Sequence, residues 1–201
     1  MAGAGQARRA AATSRQDSAA ATRRGLIDVA AELIAERGPA AASVKAITEH
    51  SQVSRGLISW HFGSKDQLVV EVVERSMSEV ESALRRSVSG TAAASFAALS
   101  AGFAATAGGV SGRVLVATLA HALSHRDNVA VAYDRGVRRL VDVAAAVAAS
   151  SGVAEPERTL VASMFVASML GFGLQYALDP ELGRRAGATI GHAFDHSAGG
   201  A

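Results

Sequence analysis

The residues best suited to chemistry lie between positions 43 and 65, where hydroxyl, guanidinium and indole groups recur at helical spacing. The segment SVKAITEHSQVSRGLISWHF (43–62) predicts two short helices separated by a break at Ser51-Gln52-Val53. Arg55 begins the second helix, and its guanidinium can pair bidentately with O6 and N7 of a guanine. The spacing is typical of a DNA-reading helix-turn-helix, although a structural corner of two packed helices has the same pattern.

Neighbouring groups extend this candidate surface. Ser43 and Ser54 are predicted helix N-caps whose hydroxyls and helix amides can meet phosphates, and Gly56 permits close backbone approach to DNA. The sequence leaves open whether Trp60 covers the helix pair and whether His61 is a solvated surface histidine. The predicted DNA-binding residues are Arg23, Arg24, Ser43, Ser54, Arg55, Gly56, Leu57, Ser59, Trp60, His61 and Lys65.

Two longer helices are needed to position this pair. An apolar stripe from Leu26 to Ile34 predicts a helix that begins after Thr22 as its N-cap and ends at Gly38-Pro39. Ser64 is predicted to cap a fourth helix that runs to about Ser87 and can join two domains. Residues 1–20 are arginine-bearing and lack a continuous apolar run, so we expect a flexible basic tail and no secretory signal.

Composition favours helix throughout and gives the two ends different charges. The 201 residues include no cysteine and only three prolines, which excludes disulfides and thiol chemistry. Residues 1–65 carry nine Lys/Arg against five Asp/Glu, whereas 66–201 carry eleven against thirteen. The basic N-terminal part is therefore the candidate partner of a polyanion. Further helices are predicted at about 91–107, 113–125, 127–149, 155–178 and 181–196.

The N-terminal segment resembles a known family. Thr22-Arg23-Arg24, LIDVAAELIAERG, SVKAI, VSRGLISWHF and Ser64-Lys65-Asp66-Gln67-Leu68 are similar to the N-terminal signature of TetR/AcrR regulators. The resemblance implies an all-α fold, with a three-helix helix-turn-helix domain at 21–66 and a helical ligand-binding and dimerisation domain at 67–201. It also implies a cytoplasmic homodimer on palindromic double-stranded DNA. We expect a repressor that releases its operator when a small ligand binds.

The segment also departs from the family pattern. Ser51-Gln52 stands where the family commonly has Ala-Gly, so Gln52 would occupy the left-handed region at a cost of roughly 1–2 kcal/mol. Leu57 and Ser59 stand where the family commonly has threonine and an aromatic residue. These differences put two expected phosphate contacts in doubt.

The C-terminal helices supply candidate pocket and dimer residues. Aromatic and apolar side chains recur on helix faces and predict an apolar or aromatic ligand, although an ordinary core position is the more common role for any one of them. The predicted pocket residues are Phe96, Leu99, Phe103, His121, Tyr133, Met164, Phe165, Met169, Phe172 and Gln175. Small residues on the last two helices predict a four-helix dimer contact. The predicted dimer residues are Ala162, Ser163, Ala167, Gly171, Ala186, Ile190 and Phe194.

Motifs, histidine spacing and one uncharged run bear on other classes of function. An all-helical enzyme or small-molecule-binding protein is the main alternative, but the chain has no GxSxG, Walker A or GxGxxG motif. His121/His125 and His192/His196 have metal-ligand spacing but no supporting ligands nearby, so we expect neither metal nor cofactor. The uncharged run 159–178 could span a membrane, but a buried interface helix is the preferred interpretation, and we expect no membrane partner.

Overall fold

The computed structural model describes the backbone of residues 3–89 and 94–198 and the side chains of 16–89 and 94–197. Within those ranges the chain forms nine α-helices, one 3-10 turn (Pro39–Ala41) and no strand, as the sequence predicted for an all-α protein. The helices are α1 (Gly3–Arg37), α2 (Val44–Ser51), α3 (Arg55–Phe62), α4 (Lys65–Ser89), α5 (Phe96–Ala107), α6 (Val110–Ser124), α7 (Asn128–Ser150), α8 (Glu157–Leu178) and α9 (Pro180–Ala198).

The first three helices form a small unit around a shared apolar core. Helices α2 and α3 have only eight residues each, so neither is stable without tertiary contacts. Ile47 on α2 and Ile58 on α3 are fully buried, and both belong to the core that contains Leu26 and Ile34 of α1. Burial of these side chains fixes the angle between α2 and α3.

The N-terminal segment differs from its prediction. The backbone is helical from Gly3, where the sequence predicted a flexible tail over 1–20. Thr22 is not an N-cap, because it lies inside α1 and its hydroxyl donates to the Ser18 carbonyl at 3.0 Å. The alanine-rich composition explains the extension, since alanine has the highest helix propensity. The arginines of the predicted basic tail are Arg8, Arg9 and Arg15, and their side chains lie outside the described residues.

Helix α4 connects the N-terminal unit to the C-terminal bundle. Its apolar face is buried from Leu68 to Leu84. On its polar face, Arg75 pairs with Asp28 of α1 at 2.6 Å and with Glu79 at 3.5 Å. Glu79 in turn accepts a hydrogen bond from the Ser111 hydroxyl in the first turn of α6. A continuous polar chain therefore runs from α1 through α4 to α6.

The C-terminal bundle is closed by a contact between its first and last helices. The Asp195 carboxylate on α9 accepts hydrogen bonds from the backbone N–H groups of Phe96 at 2.7 Å and Ala97 at 3.0 Å. An anion is favourable there because a helix N-terminus has unpaired N–H groups and a positive dipole end. The backbones also approach closely, since a Cβ on Gly191 would lie 2.7 Å from the Ala97 Cα. Residues 96 and 195 are thereby held together at one end of the bundle.

An ionic contact also joins α4 to α7. Glu81 accepts hydrogen bonds from Arg85 at 2.9 and 3.0 Å and from Arg139 of α7 at 2.9 Å. Burial acts to raise the pKa of Glu81, but the two guanidinium groups outweigh it and the net pKa is lowered. The charged form of Glu81 is therefore more favourable in the folded chain than in the unfolded one.

We predict that Glu81→Gln lowers the free energy of unfolding at pH 7 by about 1–3 kcal/mol, because hydrogen bonds to a charged group are lost. A lowered carboxyl pKa contributes stability above its unfolded value, and that stability is lost as the pH falls through the folded value. The difference from wild type should therefore shrink at acidic pH. Urea unfolding between pH 3 and 7 measures it.

Glu49→Gln is the matched control, because Glu49 is exposed and lies 3.9 Å from Lys45. An exposed pair of that kind contributes less than about 1 kcal/mol. Equal losses for the two variants, or a Glu81→Gln difference that does not change with pH, would contradict the assignment.

Candidate nucleic-acid interface and apolar cleft

Helix α3 divides into a buried side and an exposed side. Ile58 and Phe62 point into the core, whereas Arg55, Ser59 and Trp60 are exposed. Within the described residues, the Arg55 guanidinium has no ion-pair partner and the Ser54 hydroxyl makes no cap hydrogen bond. Both groups are therefore free to meet an external partner at the beginning of the helix.

The structure settles one of the alternatives for Trp60. Its side chain is 72% exposed and makes an edge contact with the half-buried His61 ring at 4.5 Å between centroids. Trp60 therefore does not cover the helix pair. A large exposed indole beside an unpaired arginine is suited to a phosphate or base contact through its Nε1–H donor.

The serines that flank the two helices have different local roles. Ser43 accepts from the Ala46 N–H at 3.1 Å, and Ser64 accepts from the Gln67 N–H at 3.1 Å, so both are helix N-caps as predicted. Their hydroxyl protons still allow donation to an anion. Lys65, at the first position of α4, is half-buried. Ser43 therefore begins α2, whereas Ser64 and Lys65 follow the C-terminal end of α3.

The two arginines of α1 also differ. Arg23 pairs with Glu71 of α4, and its guanidinium lies 5.0 Å from the centroid of the Phe62 ring. It therefore ties α1 to α3 and α4 and is not a free cation, which the sequence did not anticipate. Arg24 is exposed and has no ion-pair partner in the described part of the chain. Of the two, Arg24 is the better placed for a phosphate.

The turn between α2 and α3 contains the strained residue that the sequence predicted. Gln52 adopts φ 56° and ψ 29°, and it is the one non-glycine with positive φ in the described ranges. Its side chain is exposed. The left-handed conformation at this position ends α2 and sets the direction of α3.

An apolar cleft opens in the C-terminal bundle. Its narrow inner part has a free volume of about 20 Å³. The inner lining is Val80, Phe103, Thr106, Ala107, Gly112, Leu115, Val116, Leu119, Tyr133, Leu170, Gly173 and Leu174. The wider outer part, of about 510 Å³, is lined by Leu119, Ala122, Leu123, Arg126, Ala130, Val131, Tyr133, Asp134, Val137 and Leu170. The two parts share Leu119, Tyr133 and Leu170, which form the throat between them.

Only part of the predicted pocket lies in this cleft. Phe103 and Tyr133 line it, whereas Phe96, Leu99, Phe165, Met169 and Phe172 are buried elsewhere in the core. Met164 is 54% exposed on the outer face of α8, and Gln175 is also exposed. His121 lies outside the lining and pairs with Asp127 at 2.8 Å. Helical periodicity identified the apolar faces, but which face borders a void depends on how the helices cross.

The predicted dimer residues also divide between two faces. Ala162 is fully buried within its own chain, and Ala186, Ile190 and Phe194 pack partly against the core. Phe194 contacts the rings of Phe96 and Phe165 at 5.5 and 5.3 Å between centroids. Ser163, Ala167 and Gly171 are exposed on α8. Ser163, Ala167 and Gly171 are therefore the predicted dimer residues that are fully open to a second chain, whereas Ala162 is closed to one.

The exposed face of α8 carries a row of apolar and small side chains along the length of the helix. This row, which we call the α8 seam, consists of Leu160, Met164, Ala167, Gly171, Leu174 and Leu178. All six are exposed, and they alternate in steps of four and three residues. The row spans about 27 Å along the helix. Alternating steps of this kind are the pattern of a helix that packs lengthwise against another helix.

Helix α8 is also the one described helix that is long and apolar enough to cross a membrane. One third of its most apolar window is buried within the chain. Most of the apolar surface of α8 that stays exposed belongs to the α8 seam. Ser163 and Ser168 donate their hydroxyls to backbone carbonyls one turn earlier, at 2.7 and 2.9 Å, which reduces their polarity.

The histidines do not assemble a metal site. His121 and His125 stack in parallel with 4.1 Å between ring centroids, and His125 interacts through Nδ1 with the His121 carbonyl oxygen. Across the described residues there is no group of three or more His, Cys, Asp or Glu side chains that could hold a metal ion.

The geometry defines a helix-turn-helix protein in which one side of α3 is exposed and the helix pair is attached to a larger helical bundle. The family model described as bacterial regulatory proteins, tetR family, matches residues 26–72. Over 67 residues the chain is 46% identical to the HTH-type transcriptional repressor Rv3405c of Mycobacterium tuberculosis H37Rv, covering 33% of this chain and 34% of that protein. The chain thus spans about a third of the length of the curated relatives it matches.

Solved structures extend the similarity to the whole fold. The TetR-family regulator SCO4454 of Streptomyces coelicolor matches with a TM-score of 0.78 at 16% identity, over 89% of this chain and 96% of that one. The regulator FadR of Bacillus subtilis, in complex with stearoyl-CoA, matches with a TM-score of 0.69 at 14% identity, over 88% and 97%. Residues 26–72 of the chain therefore match the tetR family model, and the fold of the chain is that of these solved regulators.

We predict that Gln52→Gly raises the free energy of unfolding by about 0.5–1 kcal/mol. Glycine adopts positive φ without the steric cost that glutamine bears, although greater freedom in the unfolded chain offsets part of the gain. Gln52→Ala is the control, because alanine keeps the Cβ and should give no gain. Chemical denaturation of the three proteins makes the comparison, and equal stability of the Gly and Ala variants would disprove strain at this turn.

Proposed function

We propose that the chain is a sequence-specific DNA-binding transcriptional regulator that acts as a repressor in the cytoplasm. The exposed side of α3 supports this proposal best, since it combines an unpaired Arg55, the free Ser54 hydroxyl and the exposed Trp60 on a helix two turns long. A helix of this size fits the major groove, where an arginine at its N-terminal end reaches base edges. The tetR family model matches residues 26–72, which include this region of the chain.

Base reading is assigned to Arg55, and backbone positioning to the groups around it. Ser54, Ser59 and Trp60 are exposed beside it, and Arg24 and Lys65 lie on the neighbouring helices. Hydrogen bonds to phosphates fix the register of a protein on DNA but carry no sequence information. Gly56 is exposed on the same helix, and a Cβ there would meet no atom closer than 4.0 Å, so its role is to permit approach to DNA and not to relieve internal crowding.

We infer that two copies bind a palindromic operator through dimerisation along the α8 seam. One α3 contacts only a few base pairs, and helix-turn-helix proteins reach high specificity by reading two half-sites one helical turn apart. The α8 seam places small residues, Ala167 and Gly171, between larger apolar ones, so two α8 helices could cross closely at its centre. A twofold interface of this type would also cover the exposed leucines.

We further propose that a small ligand in the cleft controls DNA binding. Helix α6 lines the cleft through Leu115 and Leu119, and its first turn is linked through Ser111 to Glu79 of α4. Glu79 continues to Arg75 and then to Asp28 of α1. A shift of α6 would therefore change the position of α1, which holds α3. One neighbour of the same fold is a regulator crystallised with stearoyl-CoA, which supports a ligand-binding bundle.

Two other functions receive less support. An enzyme or carrier with a structural helix-turn-helix would have no need of the exposed arginine and indole on α3, and the matched proteins are transcriptional regulators. Membrane insertion of α8 would have to separate it from α7 and α9, because its buried face includes Phe165, Val166 and Phe172. A dimer accounts for the remaining apolar surface of α8 without that loss.

We predict that Arg55→Gln weakens binding to a DNA sequence selected by the wild-type protein by about 1–3 kcal/mol, with relaxed specificity at one base pair of each half-site. Fluorescence anisotropy with the selected site and single-base variants measures both effects. Arg86→Gln, an exposed arginine at the far end of α4, is the control and should leave binding unchanged. If Arg55→Gln binds all sequences as wild type does, α3 is not the reading element.

We predict that Ala167→Glu shifts the chain from dimer to monomer, because a carboxylate at the centre of the α8 seam would be buried without a partner. Size-exclusion chromatography with light scattering measures the mass, and circular dichroism checks that the helices are retained. Ala105→Glu is the matched control, since Ala105 is exposed on α5 away from the seam. A wild-type protein that is already monomeric at micromolar concentration would refute the dimer.

A further inference from the structure

The cleft has a charge distribution that restricts what it can bind. Its inner part is apolar, and the polar groups there are already engaged within the protein. The Thr106 hydroxyl donates to the Phe103 carbonyl at 2.8 Å, and the Tyr133 hydroxyl donates to the Leu115 carbonyl at 3.2 Å. Burial raises the pKa of Tyr133 to about 12, so this side chain remains neutral. The inner part therefore suits an apolar group and no charge.

The outer part contains two charged residues, Arg126 and Asp134, which are not equivalent. The Asp134 carboxylate is paired with Arg138 at 2.8 Å. Arg126 lies in the turn between α6 and α7, and none of the described carboxylates pairs with it. The adjacent Asp127 is occupied, because it accepts from the Ala130 N–H at 3.0 Å and from His121 at 2.8 Å. Of the two charged residues that line the outer part, Arg126 is thus the one without a salt-bridge partner among the described residues.

We propose that the ligand of this cleft is an anionic amphiphile, with a slender apolar chain in the cleft and a carboxylate or comparable acidic group on Arg126. The outer volume of about 510 Å³ accepts a small-molecule body. The inner part, with about 20 Å³ free, admits only the end of a chain, and only when Leu119 and Leu170 at the throat give way. A guanidinium at the rim binds a carboxylate bidentately and specifies the orientation of the ligand.

This inference rests on the proposed ligand-responsive function and also identifies how a ligand would act on α6. Leu119 is a residue of α6, and its displacement by a chain end would move the helix that is tied through Ser111 to Glu79. An amphiphile too short to reach the throat would bind in the outer part without moving α6. The length of the ligand's apolar chain therefore determines regulation, and the charge of its head group determines affinity.

The test compares three twelve-carbon probes that differ only in the head group: dodecanoate, dodecanol and dodecylammonium, each below its critical micelle concentration. Isothermal titration calorimetry of the full chain, without DNA, gives the dissociation constants. We expect dodecanoate to bind most tightly. Arg126→Gln should weaken dodecanoate binding by roughly tenfold and leave dodecanol unchanged, since only the charge-assisted pair is lost.

Two further variants complete the experiment. Arg86→Gln, which removes an exposed arginine away from the cleft, should bind all three probes as wild type does. Leu170→Trp, which fills the throat, should weaken binding of all three probes, with circular dichroism confirming the helical content. Equal affinity for the three head groups, tighter binding of dodecylammonium, or an unaffected Arg126→Gln variant would overturn the proposal.

DNA binding of Arg126→Gln is measured separately, by anisotropy without any probe. It should equal that of wild type, because Arg126 lies in the C-terminal bundle far along the chain from α3. Failure of selective DNA binding by the wild type would refute the proposed function and leave the calorimetric result standing. Failure of head-group selectivity would refute the anionic ligand and leave the DNA-binding function intact.

Discussion

The burial of Ile58 and Phe62 against α1 and α4 is the interaction on which the proposed DNA-reading surface depends. Helix α3 has only eight residues and would not persist on its own. Because its apolar side chains are fixed in the core, the opposite side must carry Arg55, Ser59 and Trp60 into solvent. Arg23 adds to this arrangement by stacking on Phe62 while pairing with Glu71. The proposed DNA-reading surface is therefore held in position by α1 and α4.

The short length of α3 also bears on the architecture of the C-terminal bundle. A reading helix of two turns has little specificity alone, which favours a second copy and hence an exposed apolar seam on α8. The bundle must also stay rigid enough to set the distance between two reading helices. Two contacts contribute to that rigidity: Asp195 caps α5 from the opposite end of the sequence, and Glu81 joins α4 to α7. The cleft is lined by α6, whose first turn is linked through Ser111, Glu79 and Arg75 to α1.

The sequence predicted the all-helical fold and the local structure of the helix-turn-helix well, for identifiable reasons. Serine caps and the Gly38-Pro39 stop are local signals, and the structure confirms Ser43 and Ser64 as caps and Gln52 in the left-handed region. The exposure of Trp60 could not be predicted, since an indole suits either a covered or a reading position. The involvement of Arg23 with Glu71 could not be predicted either, because the two residues are 48 positions apart and their contact depends on how α1 crosses α4.

Prediction from the sequence was poorest for the alanine-rich helices, because their faces differ little in hydrophobicity. Periodicity placed Ala162 and Phe194 on a dimer surface, but both turn toward their own chain. The pocket prediction followed aromatic residues, which fill the core through contacts such as Phe96 with Phe165 at 4.9 Å. The cleft borders mainly on aliphatic residues, with Phe103 and Tyr133 as its aromatic members, because voids form where helices diverge and not where large side chains gather. At the N-terminus, helix propensity outweighed the polar composition that suggested a tail.

The most direct test of a dimeric, DNA-reading protein is selection of bound sequences from a random duplex pool, followed by native mass spectrometry of the selected complex. The fold and the α8 seam predict inverted half-sites centred about 10 base pairs apart, bound by two chains per duplex. A pool that shows no enriched sequence, or an enriched single site occupied by one chain, would contradict this picture of the molecule.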